Sequence, residues 1–392
     1  MIAYYHLPGL FEFFELYSVF LPLYGAHREY FYEWCEIASV YGAPADCLWG
    51  GGRLGDGEHD PRAVLSLMRE YNISARLTFS NSLLEEKHLS DPKCNTLCKL
   101  FAESESPQNG VIVHSDLLLD YLKKTYPGLY FVSSTTKVLT DFEDFKQELE
   151  REDFRFVVPD FRLNKQVEKL NALPQALKDK AEFLCNECCS FGCKDRKACY
   201  EAVSRKNLGI DGPEHICTAP NAKEGYRFSK AMENPGFIGV EDIQNVYLPM
   251  GFTNFKIEGR GLGSALILEF LLYYMTKPEY RLRVREEITV CGKFRCGPFL
   301  FLSFCAIMTE TRNMRERVFI YGSGTNRKSG AGNSAGCRRR PGARGPAGNA
   351  EPCGTHVCGD FLGVKIRPEA ASQNFPRRGR ARRARFCAGH SA

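Results

Sequence analysis

The sequence has few features that would place the chain in or across a membrane. Its apolar run at residues 298–308 is much shorter than the roughly 20 residues that a membrane-spanning helix needs. The apolar stretch at 10–24 is interrupted by Glu12 and Glu15, and no small-residue cleavage site of the kind that ends a secretory signal follows it. We therefore expect a soluble, cytoplasmic protein with no membrane partner.

Several enzyme motifs are also missing. No glycine-rich fingerprint follows the first predicted strand, at residues 2–6, which argues against a dinucleotide-binding sheet. No zinc-protease or serine-hydrolase motif occurs either, so a hydrolase is the less favoured interpretation. The chain does contain 17 cysteines. Because disulfides are rare in the reducing cytoplasm, clustered cysteines there suggest a metal site or redox chemistry.

Charge divides the chain into two unequal parts. Residues 311–392 carry 17 Lys and Arg against 4 Asp and Glu, a net charge of +13, whereas the preceding 310 residues have a net charge of −8. The basic part is rich in Arg, Gly and Ala and lacks periodic apolar residues, so it cannot offset the entropy of ordering. We predict a folded domain at 1–290 and a low-complexity tail at 291–392. The tail is either disordered or the product of a shifted reading frame, and an Arg-rich arm for nucleic acid is a third interpretation.

The domain at 1–290 alternates between strand and helix patterns. Helical patterns occur at 60–71, 116–126 and 141–151, the second with Asp116 as its expected N-cap. Eight short apolar or β-rich runs with helical connections over about 250 residues predict a (β/α)8 TIM-type barrel, with an open doubly wound sheet as the alternative. These runs are at residues 2–6, 47–49, 74–79, 111–114, 130–133, 154–158, 181–184 and 253–257.

Polar residues follow the predicted strands at the end where the active sites of such barrels lie. In the last predicted strand, Lys256 and Glu258 alternate with apolar residues, so the polar side chains share one face. Buried charges need partners, so such side chains either face a substrate or cofactor in the lumen or form a salt-bridge network that fills the barrel. On the first interpretation, the candidate catalytic residues are Glu258, Arg260, Lys256 and Asp160.

Six cysteines lie within the 33 residues from Cys185 to Cys217, a higher density than ordinary usage. The segment begins at the end of the seventh predicted strand, so it opens onto the expected active face. It contains one Cys-x2-Cys knuckle followed by irregular spacing, and such thiolates suit either tetrahedral zinc or an iron–sulfur cluster. The irregular spacing favours iron–sulfur. Several buried thiols without a metal are the remaining alternative, and His215 is interpreted as a loop residue.

Several short motifs occur in a fixed order along the domain. The most specific is GFTNFKIEGR at 251–260, which follows FI at 237–238 and DI at 242–243. Earlier motifs are GAPAD at 42–46 leading to WGG at 49–51, NGVIV at 109–113 followed by SDL at 115–117, and SSTT at 133–136. Over about residues 1–288, this series resembles the collagenase-like peptidase U-32 family.

The resemblance implies a (β/α)8-type barrel and, as in the members understood chemically, a cysteine-bound [4Fe–4S] cluster. Those members support hydroxylation of tRNA bases or of quinone precursors. In this chain Cys185, Cys188, Cys193 and Cys217 occupy the region that matches the family's cysteine segment, so they are the implied cluster and metal ligands, with Cys199 as a substitute.

Three functions from different classes are compatible with these features. The first is an iron–sulfur-dependent modifying enzyme with hydroxylation-type chemistry on tRNA or a small aromatic molecule. The second is a peptidase or other hydrolase, as the family name suggests. The third is a non-catalytic barrel whose cysteines hold a structural zinc ion. The sequence does not identify a partner subunit.

Overall fold

The computed structural model describes residues 1–52, 57, 59–104, 106–187, 189–213, 215–219, 222 and 228–290. Two sequence predictions fall outside these residues, namely the tail at 291–392 and Cys188 as a metal ligand. Both remain predictions. Within the described ranges, no helix is long and apolar enough to cross a membrane.

Eight parallel strands form a nearly closed barrel, which confirms the predicted (β/α)8 architecture. In chain order, β1 to β8 are Ala3–Pro8, Cys35–Gly42, Ser74–Phe79, Gly110–Val113, Tyr130–Ser133, Phe156–Val157, Glu182–Leu184 and Asn254–Lys256. Strand β1 lies between β2 and β8, and the sheet runs from β6 through β1 to β7. The remaining gap is bridged by Val157, which pairs with Ala181 and donates a backbone hydrogen bond of 2.8 Å to the carbonyl of Lys180.

Helices lie between consecutive strands along the chain. In order, α1 to α13 are Phe14–Ala26, Pro61–Glu70, Pro92–Ala102, Asp116–Thr125, Phe142–Glu150, Val167–Asn171, Gln175–Lys178, Arg196–Asn207, Phe228–Met232, Val240–Asp242, Leu248–Met250, Ser264–Met275 and Arg281–Val290. A π-helix at Ile243–Tyr247 joins α10 to α11. Short 3-10 helices occur at Arg28–Tyr30, Glu86–His88, Thr135–Lys137, Phe161–Leu163 and Pro278–Tyr280.

Capping residues explain where three of the longer helices begin. Asp60 caps α2 and Asp141 caps α5, each through a side-chain oxygen that accepts backbone N–H bonds from the first turn. The cap of α4 is Ser115, whose hydroxyl accepts a hydrogen bond of 3.3 Å from the amide of Leu118. The predicted cap, Asp116, is therefore the first helical residue, where its negative charge still favours the positive end of the helix dipole.

The predicted strand at 47–49 is wrong, because these residues lie in turns that follow β2. Their apolar character serves the core instead: the Trp49 side chain is fully buried and its Nε1 donates a 2.7 Å hydrogen bond to the carbonyl of His88. The actual β2 contains Ala38 and Ser39, which are not typical strand residues. Pairing with β1 on one side and β3 on the other overrides this weak local preference.

Alternation along the strands separates two apolar clusters. Val111 and Val113 belong to the main core with residues of the surrounding helices, whereas Ile112 belongs to a second, smaller cluster. Since successive strand residues point to opposite faces, the second cluster lies inside the barrel. It consists of Tyr41, Ile112, Tyr130, Val132, Val158 and Leu184. The lumen is therefore packed with side chains over part of its length, and polar groups there must find partners.

Candidate functional site

A buried ion network centred on Glu182 of β7 occupies the lumen. Its Oε2 accepts a hydrogen bond of 2.5 Å from Arg76 Nη1, and its Oε1 lies 3.0 Å from Lys256 Nζ. Nε2 of His6 lies 3.6 Å from the same Oε2, and all four side chains are at most 5% exposed. Burial alone would raise the pKa of Glu182, but Arg76, His6 and Lys256 together hold this pKa well below its usual value.

Neutral side chains complete this network. Nε of Arg76 donates a 2.7 Å hydrogen bond to the hydroxyl of Tyr130, and Lys256 Nζ lies 3.7 Å from the centre of the Tyr41 ring. Burial lowers the pKa of Lys256 to about 8 although the carboxylate of Glu182 opposes the change. Lys256 therefore takes part in the internal salt-bridge network, the second of the two interpretations that strand alternation left open.

A cavity of about 470 Å³ lies above this network, at the carboxyl ends of the strands. Its volume is typical of a small-molecule site, and its position is where (β/α)8 enzymes bind substrate. Hydroxyl-bearing residues of its wall include Thr78, Ser80, Ser134, Thr135 and Thr136. The charged part consists of Arg196, Lys230, Lys256, Glu258 and Arg260.

Glu258 and Arg260 lie in this wall, as the sequence predicts for residues at the end of the last strand. The backbone of Glu258 is fixed by Asn186, whose amide side chain accepts from its N–H at 2.8 Å and donates to its carbonyl at 3.1 Å. Nη2 of Arg260 donates a 3.0 Å hydrogen bond to the carbonyl of Gly51, and its Nη1 lies 3.8 Å from Oε1 of Glu12. The half-buried Glu258 contributes a carboxylate to the wall, and Arg260 is a nearly buried cation.

Asp160 is fully buried and does not belong to the cavity wall. Its Oδ1 lies 2.5 Å from Nε of Arg162, and its Oδ2 lies 3.3 Å from Nε of Arg196. Nη1 of Arg196 is 2.6 Å from Oε2 of Glu187, and its guanidinium lies 5.2 Å from the centre of the Tyr200 ring. Asp160 can therefore act on a bound molecule only through Arg196, which it positions in the wall.

The cysteine segment contributes four thiols to the same cavity. Cys189, Cys193, Cys199 and Cys217 line it, the third from α8. Hydrogen bonds hold the backbone of this segment in place: the amide of Cys189 donates to Oε1 of Glu187 at 2.8 Å, and the carbonyl of Cys193 accepts from Nη1 of Arg162 at 2.8 Å. All nine cysteines of the described residues are thiols rather than disulfides.

Cys185 has a different environment from these four thiols. It is fully buried in the main hydrophobic core, and its Sγ donates to the carbonyl of Phe183 at 3.4 Å. Burial raises the pKa of this thiol well above the usual value. The structure thus brings Cys193, Cys217 and the predicted substitute Cys199 to one cavity, and it places Cys185 outside that cavity.

The cavity thiols suit a soft metal or an iron–sulfur cluster by their chemistry, because thiolate sulfur is the ligand that such centres prefer. They also come from three consecutive parts of the chain: Cys189 and Cys193 from the loop before α8, Cys199 from α8, and Cys217 from the segment after it. Over the described part of the chain, no three His, Cys, Asp or Glu side chains are arranged as a metal site. The residues of the cavity therefore fit an iron–sulfur cluster or a soft metal in the type and the location of their donor atoms, and not in an existing arrangement around a metal position.

Two hydroxyl–imidazole pairs bear on the hydrolase alternative. Nδ1 of His6 lies 2.8 Å from Oγ of Ser39, but neither residue lines the cavity, and burial lowers the pKa of His6 to about 3. Nδ1 of His114 lies 2.9 Å from Oγ1 of Thr136 in the wall, and partial burial lowers the pKa of His114 to about 4. An imidazole with so low a pKa is a weak general base near neutral pH, so neither pair favours a hydrolase.

Sequence reasoning missed two residues of the site. Glu182, the first residue of β7, was detectable as a carboxylate beside the apolar residues Phe183 and Leu184 of the same strand. Arg196 follows the cysteine-rich loop and gave no such signal, because a basic residue at the start of a helix normally faces solvent.

Comparisons with known proteins give a structural similarity but no sequence match. No family model matches the chain, and no curated protein sequence matches it. Among solved structures, the chain is similar to the U32 peptidase Mk0906, with 14% sequence identity and a TM-score of 0.43. The similarity covers 66% of this chain and 94% of that one.

Proposed function

We propose that the chain is an iron–sulfur-dependent modifying enzyme whose substrate binds in the cavity at the carboxyl end of the barrel. The observation that carries the proposal is the presence of four thiols on the wall that also holds Glu258, Arg260 and Arg196. The motifs at 251–260 and earlier in the chain support it by their resemblance to the U-32 family. Hydroxylation of a tRNA base or a small aromatic molecule is the reaction that this resemblance suggests.

The ligands that we propose for the cluster are Cys193, Cys199 and Cys217, with the fourth from the neighbouring pair Cys188 and Cys189. This set replaces Cys185 of the sequence prediction, because Cys185 lies in the main hydrophobic core and does not line the cavity. An iron–sulfur cluster, when bound, supplies one-electron redox chemistry. The cationic side chains of the wall are suited to balance the negative charge of four thiolates.

The other proposed roles belong to side chains that border the cavity. Glu258 is placed to accept a proton from a bound molecule, since it is the carboxylate of the described wall. Lys256, with a pKa of about 8, is placed to donate one from the deep end. Arg260 binds and orients the substrate. Asp160 acts indirectly, by positioning Arg196 through the 3.3 Å contact between Oδ2 and Nε.

Anaerobic reconstitution of the full chain tests this proposal. We expect about four iron and four sulfide per chain and a broad visible absorption, as for a [4Fe–4S] centre. Cys193→Ser should abolish both. Cys35→Ser is the matched control, because Cys35 is a buried thiol of β2 that does not line the cavity. Stoichiometric zinc without sulfide would contradict the proposal and favour the structural-zinc alternative.

A further inference from the structure

We propose that Arg260, Ser80 and Gly52 form a phosphate-binding subsite in the wall of the cavity, so that the ligand of this protein carries a phosphate group. The inference deepens the proposed function and rests on it in one respect, since it takes the cavity to be the place where substrate binds. It names a chemical feature of the substrate that the cysteines and the sequence motifs do not indicate.

The guanidinium of Arg260 has hydrogen-bonding capacity that the described residues leave unused. The side chain is 6% exposed, and its Nη2 is satisfied by the carbonyl of Gly51 at 3.0 Å. Its Nη1 has no hydrogen-bond partner within the described part of the chain. The nearest carboxylate oxygen, Oε1 of Glu12, lies 3.8 Å away, and it too has no hydrogen-bond partner there. A buried cation is costly without a closely bound anion, so this site favours an anionic ligand.

Two other cations of the cavity wall, Lys256 and Arg196, differ from Arg260 because each has a carboxylate oxygen close by. Lys256 is paired with Glu182 at 3.0 Å, and Arg196 has a carboxylate oxygen of Glu187 at 2.6 Å. Both of these cations are therefore matched by a carboxylate of the protein itself. Arg260 differs from these two cations, because its carboxylate partner among the described residues, Glu12, is too distant for a hydrogen bond, and an added negative charge is therefore favoured there.

Hydroxyl groups on the same wall also lack partners. Oγ of Ser80 and Oγ1 of Thr78 are buried without a hydrogen bond to any described residue, although the two residues are only 2% and 5% exposed. Oγ1 of the half-buried Thr135 shares this property. Buried polar atoms are almost always hydrogen-bonded in folded proteins, so three such hydroxyls around one cavity indicate a polar ligand.

The position of Gly52 leaves room for that ligand. This glycine has φ +72°, and a Cβ placed on it would lie 3.5 Å from Cγ2 of Thr136, 3.6 Å from Nη2 of Arg260 and 3.7 Å from Oγ of Ser80. The space that a side chain would fill is therefore bordered by the Ser80 hydroxyl and by the Arg260 guanidinium, through Nη2 rather than the unused Nη1. Its neighbour Gly51 has no such space, since a Cβ there would lie 2.4 Å from the carbonyl of Ser80. The loop thus packs closely on the end of β3 and stays open at one point.

Among anions, phosphate matches these donors best. A phosphate group presents three strong acceptor oxygens, whereas a carboxylate presents two. Nη1 of Arg260 and the hydroxyls of Ser80, Thr78 and Thr135 are four wall groups without a hydrogen bond to a described residue, against the two oxygens that a carboxylate offers. Arginine is also a common ligand of phosphate, and here Nη1 of Arg260 is the nitrogen that has N–H groups to offer.

The test measures binding of inorganic phosphate to the full chain by calorimetry at constant ionic strength. Binding of acetate, a carboxylate, is measured in the same way for comparison. We expect saturable phosphate binding that is tighter than acetate binding. Arg260→Gln should weaken it roughly tenfold to a hundredfold, and Ser80→Ala roughly threefold to tenfold, as expected for charged and neutral hydrogen bonds. Arg155→Gln, which removes the same charge from an exposed residue, should leave binding unchanged.

Three results would overturn the inference: no saturable phosphate binding, equal phosphate binding by all variants, or tighter binding of acetate than of phosphate. If Arg260→Gln does not fold, as judged by circular dichroism, phosphate binding by Ser80→Ala tests the inference instead, because this substitution removes only one oxygen atom. Iron and sulfide are measured on the same samples. Phosphate binding to protein that takes up no iron would support the inference while the proposed function fails. Iron-loaded protein that binds no phosphate would overturn the inference alone.

Discussion

Arg76 and Glu182 form a hydrogen-bonded ion pair of 2.5 Å inside the barrel, although 106 residues separate them in the chain. They belong to β3 and β7, which are not neighbours in the sheet, so the pair spans the lumen. Lys256 of β8 and His6 of β1 contact the same carboxylate. One side chain therefore links four strands through their inward faces, and its removal leaves buried positive charge without a partner.

We predict that Glu182→Gln strongly destabilises the protein. Breaking a buried ion pair from one side typically costs about 3–5 kcal/mol, since the remaining charge is neither solvated nor paired. Urea unfolding measures the change. Asp46→Asn is the control, because its ion pair with Lys93 is largely exposed and such pairs contribute at most about 1 kcal/mol. A loss of under about 1 kcal/mol for Glu182→Gln would show that the network does not hold the barrel together.

Stability should fall as the pH is lowered from 7 to 5. Burial and Arg76 lower the pKa of His6 to about 3 in the folded protein, whereas the unfolded chain binds this proton near pH 6.5. The stabilising contribution is therefore complete above pH 6.5 and is lost as the pH falls toward 3, by about 1.4 kcal/mol per pH unit. Urea unfolding at several pH values should show that the free energy of unfolding depends less steeply on pH in His6→Asn than in the unchanged protein. The attribution of this pH dependence to His6 would be contradicted if the dependence were unchanged in His6→Asn. It would also be contradicted if the partly exposed control His27→Gln reduced the dependence equally.

Gly51→Ala should destabilise the loop that borders the cavity. A Cβ at this position would lie 2.4 Å from the carbonyl carbon and oxygen of Ser80, and backbone atoms cannot move aside as a flexible side chain can. Overpacking of this kind typically costs about 1–3 kcal/mol. Gly192→Ala is the matched control, since nothing lies within 4 Å of its Cβ position. Equal thermal midpoints for the two variants would show that the close approach of Gly51 to Ser80 is not required.

Removal of residues 291–392 should leave the barrel intact. The described strands and helices end with α13, at Arg281–Val290, and most of the tail, residues 311–392, is basic and lacks periodic apolar residues. We expect the chain shortened to 1–290 to unfold at nearly the same temperature as the full chain, with similar soluble yield. Loss of soluble protein on truncation would show that the tail contributes to folding.

The barrel was predictable because it depends on features that repeat along the chain. Seven of the eight predicted runs overlap strands, and Asp60 and Asp141 cap helices where the pattern places them. The second strand was not predictable in this way. It contains Ala38 and Ser39, and only its pairing with strands on both sides makes it extended.

The site was less predictable, because it depends on contacts between distant segments. Alternation indicated that Lys256 faces the lumen but not that Glu182 pairs with it, since that contact joins residues 74 positions apart. Spacing likewise indicates that cysteines cluster, but not which of them reach the cavity. Cys185 continues the buried face of β7 into the core, whereas Cys199 lies on a helix that borders the cavity.

The central claim is that thiols of the cavity wall, rather than the buried Cys185, hold an iron–sulfur cluster. It is tested most directly by measuring iron and sulfide in Cys199→Ser and Cys185→Ser, both purified and reconstituted without oxygen. The account predicts that Cys199→Ser loses the cluster and its visible absorption, and that folded Cys185→Ser retains about four iron and four sulfide per chain. Cluster loss in folded Cys185→Ser with full retention in Cys199→Ser would contradict the account.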